Sequence, residues 1–287
     1  MDRLRGAIAA AVTPLRDGGR RLDEEAFPRL IRFLADEGVD GVLAAGTTGE
    51  GVLLSVGERL RITELFMASR PEGFQVAVHA GAQTTTDSVA IAAHAQEAGA
   101  DAVAVIAPPY FPLDEEELVR HFVTVASACE PVAFYVYEFV GRSGYAIPVE
   151  VIHRIRERAP NLRGMKVSDS PFEAVEPYLG LDGLDVFIGL EPLVLRGMER
   201  GAVGAVSGLA TAYPRIVAAL VHDRSASADK QVNALRDGLQ GIPFHAAMKE
   251  VLVTRDVLVS ADVRAPLRGP TDDERARITA LDRAIEG

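Results

Sequence analysis

The sequence predicts a (β/α)8 barrel, also called a TIM barrel, with a helical extension at its C-terminal end. Short apolar runs recur along the chain, amphipathic helical segments separate them, and the last part of the chain has helical patterns only. The length of 287 residues suits a single barrel of this kind. We predict that residues 1–221 form the barrel and that residues 222–287 form a helical bundle packed on it.

The apolar runs have the character of buried parallel strands. They are mostly continuous rather than alternating, as expected for strands covered on both sides. A doubly wound open sheet is the alternative, but it would normally have fewer strands and a glycine fingerprint after the first. The eight runs begin at Gly6, Gly41, Phe74, Asp101, Pro131, Leu162, Leu184 and Gly201.

The segments between the runs have helical spacing. Residues 23–38, 87–100 and 114–129 carry apolar side chains three and four positions apart, which is typical of a helix with one buried face. Glycine closes the first two of these segments, as it often does at a helix end. Strands therefore alternate with helices, which is the order that a parallel barrel requires.

Composition excludes several classes of partner. The formal net charge of −11 and the pI near 5.1 argue against nucleic acid and anionic membranes, which both need a basic surface. No apolar run approaches the roughly 18 residues of a membrane span. The basic start of the chain imitates a signal peptide, but its short apolar run predicts a first strand. The single cysteine, Cys129, suits a reducing cytoplasm, and its apolar surroundings predict a buried, inert thiol.

A polar loop follows the second predicted strand, in "LAAGTTGEGV" from Leu43 to Val52. The loop lacks the lysine of a P-loop and the glycine spacing of a dinucleotide site. Because chemistry in barrels gathers at the C-terminal ends of the strands, we expect Thr47, Thr48 and Glu50 at the barrel mouth. A nearby helix start would favour a bound carboxylate or phosphate there. The alternative is that Thr47 or Thr48 only caps the following helix.

The sequence contains three lysines, and one of them lies at a predicted strand end. Lys166 ends the sixth strand, whereas Lys230 and Lys249 lie in segments where a helix can carry the charge outward. Partial burial disfavours an ammonium ion, and a neutral amine attacks a carbonyl to give a Schiff base. The alternative is a structural lysine that reaches solvent or pairs with Asp169.

The fifth strand and its loop, "FYVYEFVGRSG", supply a phenol and a guanidinium. Tyr135 and Tyr137 share one side of the strand, and Tyr137 is nearer the end, where its hydroxyl could relay protons. Arg142 lies between Gly141 and Gly144 and could bind the carboxylate of a second substrate. A solvent-exposed loop arginine is the alternative.

Together these motifs resemble the dihydrodipicolinate synthase/N-acetylneuraminate lyase family of class I aldolases. The resemblance rests on "GTTGE", on Tyr137 followed five residues later by Arg142, and on "GMK", and it extends from Val12 to "VRAPLRGPTDDE" near the C-terminus. It implies an imine between Lys166 and pyruvate or another 2-oxo acid, with no separate cofactor. An aldehyde or semialdehyde is implied as second substrate, and a homo-oligomer, a tetramer built from tight dimers, as the assembly.

The resemblance also implies roles for individual residues. Lys166 would be the nucleophile, and Tyr137, Thr47 and Tyr110 would form the proton relay, Tyr110 from a neighbouring subunit. Arg142 would grip the carboxylate of the second substrate. The other predicted substrate-binding residues are Thr48, Gly46, Gly189, Val206 and Glu138.

The sequence departs from the family pattern at several positions. Glu138 stands where asparagine is common, and Val140 stands where proline usually precedes the arginine. His79 replaces a usual glycine and is expected to narrow the pocket. The loop "APPYFP" is one residue short, so either Tyr110 or Phe111 fills the inter-subunit aromatic position, and Phe111 would lack the hydroxyl.

Several functions remain open from the sequence. A condensing synthase of the lysine pathway and a catabolic aldolase for sugar acids both fit the motifs. A barrel that binds a small acid without catalysis is the alternative that is not an enzyme. A phosphate-binding isomerase would have more glycine after strands 7 and 8 than Gly208 alone. The histidines lack metal-ligand spacing, so we predict no metal site.

Overall fold

The computed structural model describes residues 3–286, and its centre is a closed barrel of eight parallel strands. Neighbouring strands in the chain pair in parallel, and the first strand closes the barrel against the eighth, with Gly6 level with Gly204. The predicted barrel is confirmed, and the open doubly wound sheet is wrong. Strands β1 to β8 span Gly6–Ala10, Gly41–Ala44, Gln75–His79, Ala102–Ile106, Ala133–Glu138, Leu162–Val167, Asp185–Ile188 and Gly204–Ser207.

A helix follows each strand and covers the outside of the barrel. The three predicted helical segments are confirmed, with bounds shifted by a few residues. A short antiparallel hairpin after β1, Leu15–Arg16 with Arg21–Leu22, was not predicted. Helices α1 to α8 span Phe27–Asp36, Val56–Ser69, Thr85–Glu97, Glu115–Ala128, Val149–Arg158, Phe172–Leu179, Val194–Glu199 and Pro214–His222.

Three further helices extend the chain beyond α8. Helices α9, α10 and α11 span Ala226–Gly238, Phe244–Thr254 and Asp272–Glu286. Apolar side chains of these helices, such as Val232 and Met248, belong to the same hydrophobic cluster as the outer face of the barrel. None of the helices in the described part of the chain has an apolar stretch long enough to cross a bilayer.

Strand alternation divides the buried side chains into two layers. Outward-facing residues such as Val136 and Met165 pack against the helices, whereas inward-facing residues such as Tyr135 and Phe187 fill the barrel. The Tyr135 hydroxyl accepts a hydrogen bond from the backbone N–H of Leu4 at 3.2 Å, near the N-terminal end of the barrel. Side chains fill the N-terminal half of the barrel, so the space for a ligand is at its C-terminal end.

Cys129 lies at the end of α4 with its side chain fully buried. Burial raises the pKa of its thiol to about 12. Because a cysteine reacts as the thiolate, this environment makes Cys129 unreactive, in agreement with the sequence interpretation.

Lys249 of α10 is buried, which corrects the prediction that its helix carries the charge outward. Residues 246–249 are all buried, so this turn of the helix has no exposed face. Lys249 Nζ donates to Glu50 Oε1 at 2.5 Å and to the Asp262 carbonyl at 2.7 Å. The second oxygen of Glu50 accepts from the Arg264 N–H at 2.6 Å. The pair therefore joins the loop after β2 to the C-terminal part of the chain.

Breaking this pair should destabilise the protein. Burial lowers the pKa of Lys249, and the Glu50 carboxylate opposes that shift, so each charge depends on the other. Replacing Lys249 by methionine leaves the Glu50 carboxylate buried and uncompensated. We expect the free energy of unfolding to fall by about 3–5 kcal/mol, measured by denaturant titration.

The matched control for this prediction is Lys230→Met on the exposed surface of α9. That change should alter the free energy of unfolding by less than about 0.5 kcal/mol. Adding Glu50→Gln to Lys249→Met should recover part of the loss, because it removes the uncompensated charge. A cost below about 1 kcal/mol for Lys249→Met alone would contradict the assignment of a strong buried pair.

Candidate active site

A pocket of about 170 Å³ opens at the C-terminal ends of the strands. Larger and more open depressions lie elsewhere on the described surface, such as one of about 590 Å³ between Arg16 and Arg61, which contains no lysine. The pocket lining comes from strand ends, from the loops after them and from the two helices α9 and α10. It consists of Thr47, Thr48, Tyr137, Phe139, Arg142, Lys166, Ser168, Gly189, Leu190, Val206, Gly208, Arg236, Phe244 and His245.

Lys166 lies at the end of β6 and lines the pocket with only 6% of its surface exposed. Its Nζ lies 4.0 Å from the centre of the Tyr137 ring, and the two residues are level in the β5–β6 register. Asp169 accepts the Val140 N–H at 2.8 Å, and the ion pairs found in residues 3–286 include none between Lys166 and Asp169. The alternative of a structural Lys166–Asp169 pair is therefore not observed.

Tyr137 and Thr47 form a hydroxyl pair above Lys166. Their oxygens lie 3.3 Å apart, and either can be the donor. The Tyr137 side chain is 2% exposed, with His79 edge-on at 5.9 Å and Phe139 stacked at 6.2 Å between ring centres. As predicted, Tyr137 reaches the mouth and Tyr135 does not. The phenol and the threonine hydroxyl are thus within reach of each other, and the lysine amine lies over the phenol ring.

The loop after β2 holds Thr47 and Thr48 at the pocket without using them as helix caps. Ser55 caps α2 instead, accepting the Glu58 N–H at 3.2 Å. A one-turn 3₁₀ helix, Gly51–Leu53, begins near the two threonines as expected, whereas helix α2 begins only at Val56. His245 Nε2 contacts the Thr47 carbonyl at 3.0 Å and fixes the loop from α10. Neither hydroxyl is therefore used to cap α2, and the Thr47 hydroxyl contacts Tyr137 instead.

Gly189 and Val206 line the pocket from the ends of β7 and β8, as the resemblance implied. A Cβ atom on Gly189 would lie 1.9 Å from Ser168 Oγ and 3.1 Å from Lys166 Cε. The missing side chain therefore makes room for the lysine. Gly46 is buried at the start of its loop and does not line the pocket itself.

Glu138 and Tyr110 lie outside the pocket of this chain. Successive residues of a strand point to opposite sides, so Tyr137 faces inward and Glu138 faces the helices. Glu138 is 1% exposed and accepts the Ile147 N–H at 3.0 Å, which contradicts its predicted role in substrate binding. Tyr110 and Phe111 are 83% and 70% exposed and contact each other edge to face at 4.9 Å.

His79 also lies outside the pocket and does not narrow it as expected. Its side chain is buried behind the Tyr137 ring, and Arg59 donates to its carbonyl oxygen. Burial, followed by the positive charges of Arg59 and Lys166, holds the pKa of His79 well below its usual value. The imidazole is therefore neutral at physiological pH.

The C-terminal helices supply pocket residues that sequence reasoning missed. Arg236 of α9 binds Glu191, with Nε donating to Oε2 at 2.7 Å. Although burial raises the pKa of Glu191, Arg236 and the hydrogen bonds from Ser207 and Leu209 lower it overall. These residues belong to no motif in the sequence and come together only through the packing of α9.

Arg142 and His245 complete the lining of the pocket. Arg142 is exposed and lies 5.5 Å from the centre of the Phe139 ring. Burial lowers the pKa of His245, which favours its neutral form.

Among residues 3–286, no three His, Cys, Asp or Glu side chains come together in a way that could hold a metal ion. The chemistry available is that of an amine, hydroxyls, an imidazole and guanidinium groups.

Comparisons with known proteins bear on the family and the fold. The model of the dihydrodipicolinate synthetase family matches residues 3–284. An uncharacterized DapA-like lyase of Chloroflexus aurantiacus is 32% identical over 285 residues, covering 96% of this chain and 95% of its own. A 4-hydroxy-tetrahydrodipicolinate synthase of Thermus thermophilus is 36% identical over 218 residues, covering 75% and 72%. The solved structure of Proteus mirabilis N-acetylneuraminate lyase is 26% identical, with a TM-score of 0.89 over 99% of both chains.

Proposed function

The chain belongs to the dihydrodipicolinate synthetase family and is a lyase of that family, and we propose that it acts on a 2-oxo acid through an imine on Lys166. Pyruvate is the simplest such substrate, and the bond made or broken lies next to its carbonyl group. The observation that carries the proposal is the position of Lys166. It lines the strand-end pocket with its Nζ over Tyr137, whereas Lys230 is exposed and Lys249 is paired with Glu50.

The hydroxyl pair supports imine formation. In imine formation the nitrogen of Lys166 bonds to the carbonyl carbon of the 2-oxo acid and gives up two protons, and the carbonyl oxygen takes up two protons and leaves as water. Tyr137 is the nearest phenol, and Thr47 connects it to the strand-2 loop at 3.3 Å. A hydroxyl both donates and accepts, so this pair can deliver a proton in one step and recover it in the next.

The loop after β2 suits the carboxylate of the 2-oxo acid. The Thr47 and Thr48 hydroxyls line the pocket on the side of Tyr137, within the same 170 Å³ space as Lys166. Two hydroxyl donors match a planar carboxylate, and a helix N-terminus, which would favour phosphate, lies farther along the chain at Val56. Binding here would direct the carbonyl carbon toward the lysine.

The second substrate is an aldehyde or semialdehyde with a carboxylate that Arg142 binds. Arg142 lines the pocket, and its guanidinium lies 5.5 Å from the centre of the Phe139 ring. The similarity to the Thermus thermophilus 4-hydroxy-tetrahydrodipicolinate synthase supports a synthase-like reaction. The similarity to the Proteus mirabilis lyase supports a second candidate, a catabolic aldolase for sugar acids. No lining residue is a carboxylate that could bind several sugar hydroxyls, and Glu191 is engaged by Arg236, which favours the first candidate.

The exposed aromatic pair supports an oligomer. Tyr110 and Phe111 lie in the loop after β4, and large exposed aromatic side chains are typical of interfaces. We propose that one of them reaches the pocket of a neighbouring subunit. Tyr110 would add a hydroxyl to the relay, whereas Phe111 would add only an apolar contact.

Trapping with borohydride tests the role of Lys166. Incubation with pyruvate and borohydride should add a single reduced pyruvyl group, and peptide mass spectrometry should locate it at Lys166. Lys166→Arg should fold normally and lose activity, because a guanidinium stays protonated and cannot attack. Modification at Lys230 or Lys249, or none with any 2-oxo acid, would overturn the proposal.

Removing the Tyr137 hydroxyl tests the relay. Tyr137→Phe keeps the ring over Lys166 and should lower kcat by roughly 10²–10⁴-fold, the usual contribution of a general acid or base. Tyr135→Phe is the matched control, because its hydroxyl bonds Leu4 near the other end of the barrel and should affect stability rather than kcat. Equal kinetic losses in the two variants would argue against a relay through Tyr137.

Removing the Arg142 guanidinium tests the second substrate. Arg142→Ala should lower kcat/KM for an acidic acceptor by roughly tenfold to a hundredfold, since a charge-assisted contact is typically worth about 1.5–3 kcal/mol. Imine trapping with pyruvate should be unchanged in Arg142→Ala. The control is Arg158→Ala, which alters an exposed arginine at the end of α5 and should change neither kcat/KM nor imine trapping. If trapping is lost with turnover, Arg142 serves the first substrate or the fold instead.

A further inference from the structure

Two buried carboxyl groups outside the pocket hold the segment that carries Arg142. This segment begins with a one-turn helix, Val140–Ser143, and continues to Ile147. At its start, Asp169 Oδ1 accepts the Val140 N–H at 2.8 Å. At its end, Glu138 Oε2 accepts the Ile147 N–H at 3.0 Å. The guanidinium of Arg142 therefore projects from backbone that is fixed at both ends by acidic side chains.

The hydrogen bond from the backbone N–H of residue 140 to Asp169 depends on the residue type at position 140. Val140 has a backbone N–H, which proline would lack. A carboxylate that accepts this N–H caps the first turn, because it satisfies a donor that has no partner inside the helix. Its negative charge also interacts favourably with the positive end of the helix. Val140 and Asp169 thus define where the turn begins.

Glu138 and Asp169 lie next to each other in surroundings that supply no cation. Glu138 is 1% exposed and Asp169 is 8% exposed. In the part of the chain that the structure describes, the titratable groups that face Glu138 are Asp169 from the loop after β6, Tyr178 of α6 and Tyr145. The two phenols donate to the carbonyls of Ile147 and Pro108, each at 2.8 Å, so neither donates to the acids.

These surroundings favour one proton on the pair near neutral pH. Burial and then the Asp169 carboxylate raise the pKa of Glu138 to about 8, and burial also raises the pKa of Asp169. Glu138 Oε1 is buried and has no hydrogen-bond partner among the described residues. A protonated Glu138 tolerates that burial, whereas an ionised one would face both desolvation and the charge of Asp169.

We propose that Glu138 and Asp169 are positioning residues for the second substrate: with a proton on Glu138 they hold the Arg142 segment in its binding position, and with both ionised they release it. The inference rests on the proposed role of Arg142. Repulsion between two adjacent carboxylates would move Asp169 away from Val140 and leave the turn without its cap. The consequence is a site that binds an acidic acceptor well at neutral pH and poorly at alkaline pH.

The same proton links this segment to stability. The pKa of Glu138 is raised in the folded state from 4.5 to about 8, so the folded state holds the proton more tightly than the unfolded state. The stabilisation from this proton is fully present below pH 4.5 and is lost as the pH rises through about 8. Glu138→Gln, which cannot ionise, should remove this pH dependence.

The test measures KM for an acidic acceptor from neutral to alkaline pH in the wild type and in Glu138→Gln. In the wild type KM should rise by roughly tenfold across the titration of Glu138, as the contact with Arg142 is lost. In Glu138→Gln KM should stay near its neutral value throughout. Glu150→Gln, an exposed glutamate on α5, is the matched control and should retain the wild-type profile. A KM rise of the same size in Glu138→Gln overturns the proposal.

Amide hydrogen exchange of residues 139–147 in the wild type gives a second readout that needs no variant. After correction for the chemical exchange rate, protection of this segment should fall at alkaline pH while that of β6 does not. Unchanged protection would overturn the proposal even if KM rises. If protection is lost but KM does not change, the carboxyl pair does hold the segment, and the role of Arg142 in binding the acceptor is overturned. Borohydride trapping at each pH shows separately whether the imine on Lys166 still forms.

Discussion

Tyr137 pairs with Lys166 across the parallel contact between β5 and β6, and this register points both side chains into the barrel at the same height. The amine lies 4.0 Å from the ring centre, so the phenol and the nucleophile share one small space. Shifting either strand by one residue would turn its functional side chain to the outer layer. Thr47, Gly189 and Val206 add to the site only because the closed barrel brings their strand ends to the same rim.

Two ion pairs near the pocket contain buried charges, and the pocket lysine Lys166 belongs to neither. Lys249 is paired with Glu50, and Arg236 is paired with Glu191. Both pairs join the C-terminal helices to the barrel loops, so the charges that cost most to bury also fix the walls of the pocket. Lys166 has no such partner among the ion pairs of residues 3–286, which leaves its amine for a ligand.

The pocket has two parts, which are held in place by different kinds of contact. Its base, around Lys166 and Tyr137, comes from strands whose positions the barrel fixes. Its acceptor side comes from the Arg142 segment and from α9 and α10, which are held by hydrogen bonds and ion pairs between distant parts of the chain. The base therefore depends on the barrel itself, whereas the other side depends on contacts between segments far apart in the chain.

The sequence by itself determined the eight strands, the helices between them and the strand-end positions of Lys166, Tyr137 and Thr47. Those features follow from local periodicity and from the rule that parallel strands end on one face. Tertiary structure decided that Lys249 is buried and that Arg236, Phe244 and His245 line the pocket. It also decided that Glu138 faces the helices beside Asp169. These outcomes depend on contacts between segments far apart in the chain, which local patterns do not encode because packing selects which face of each element is covered.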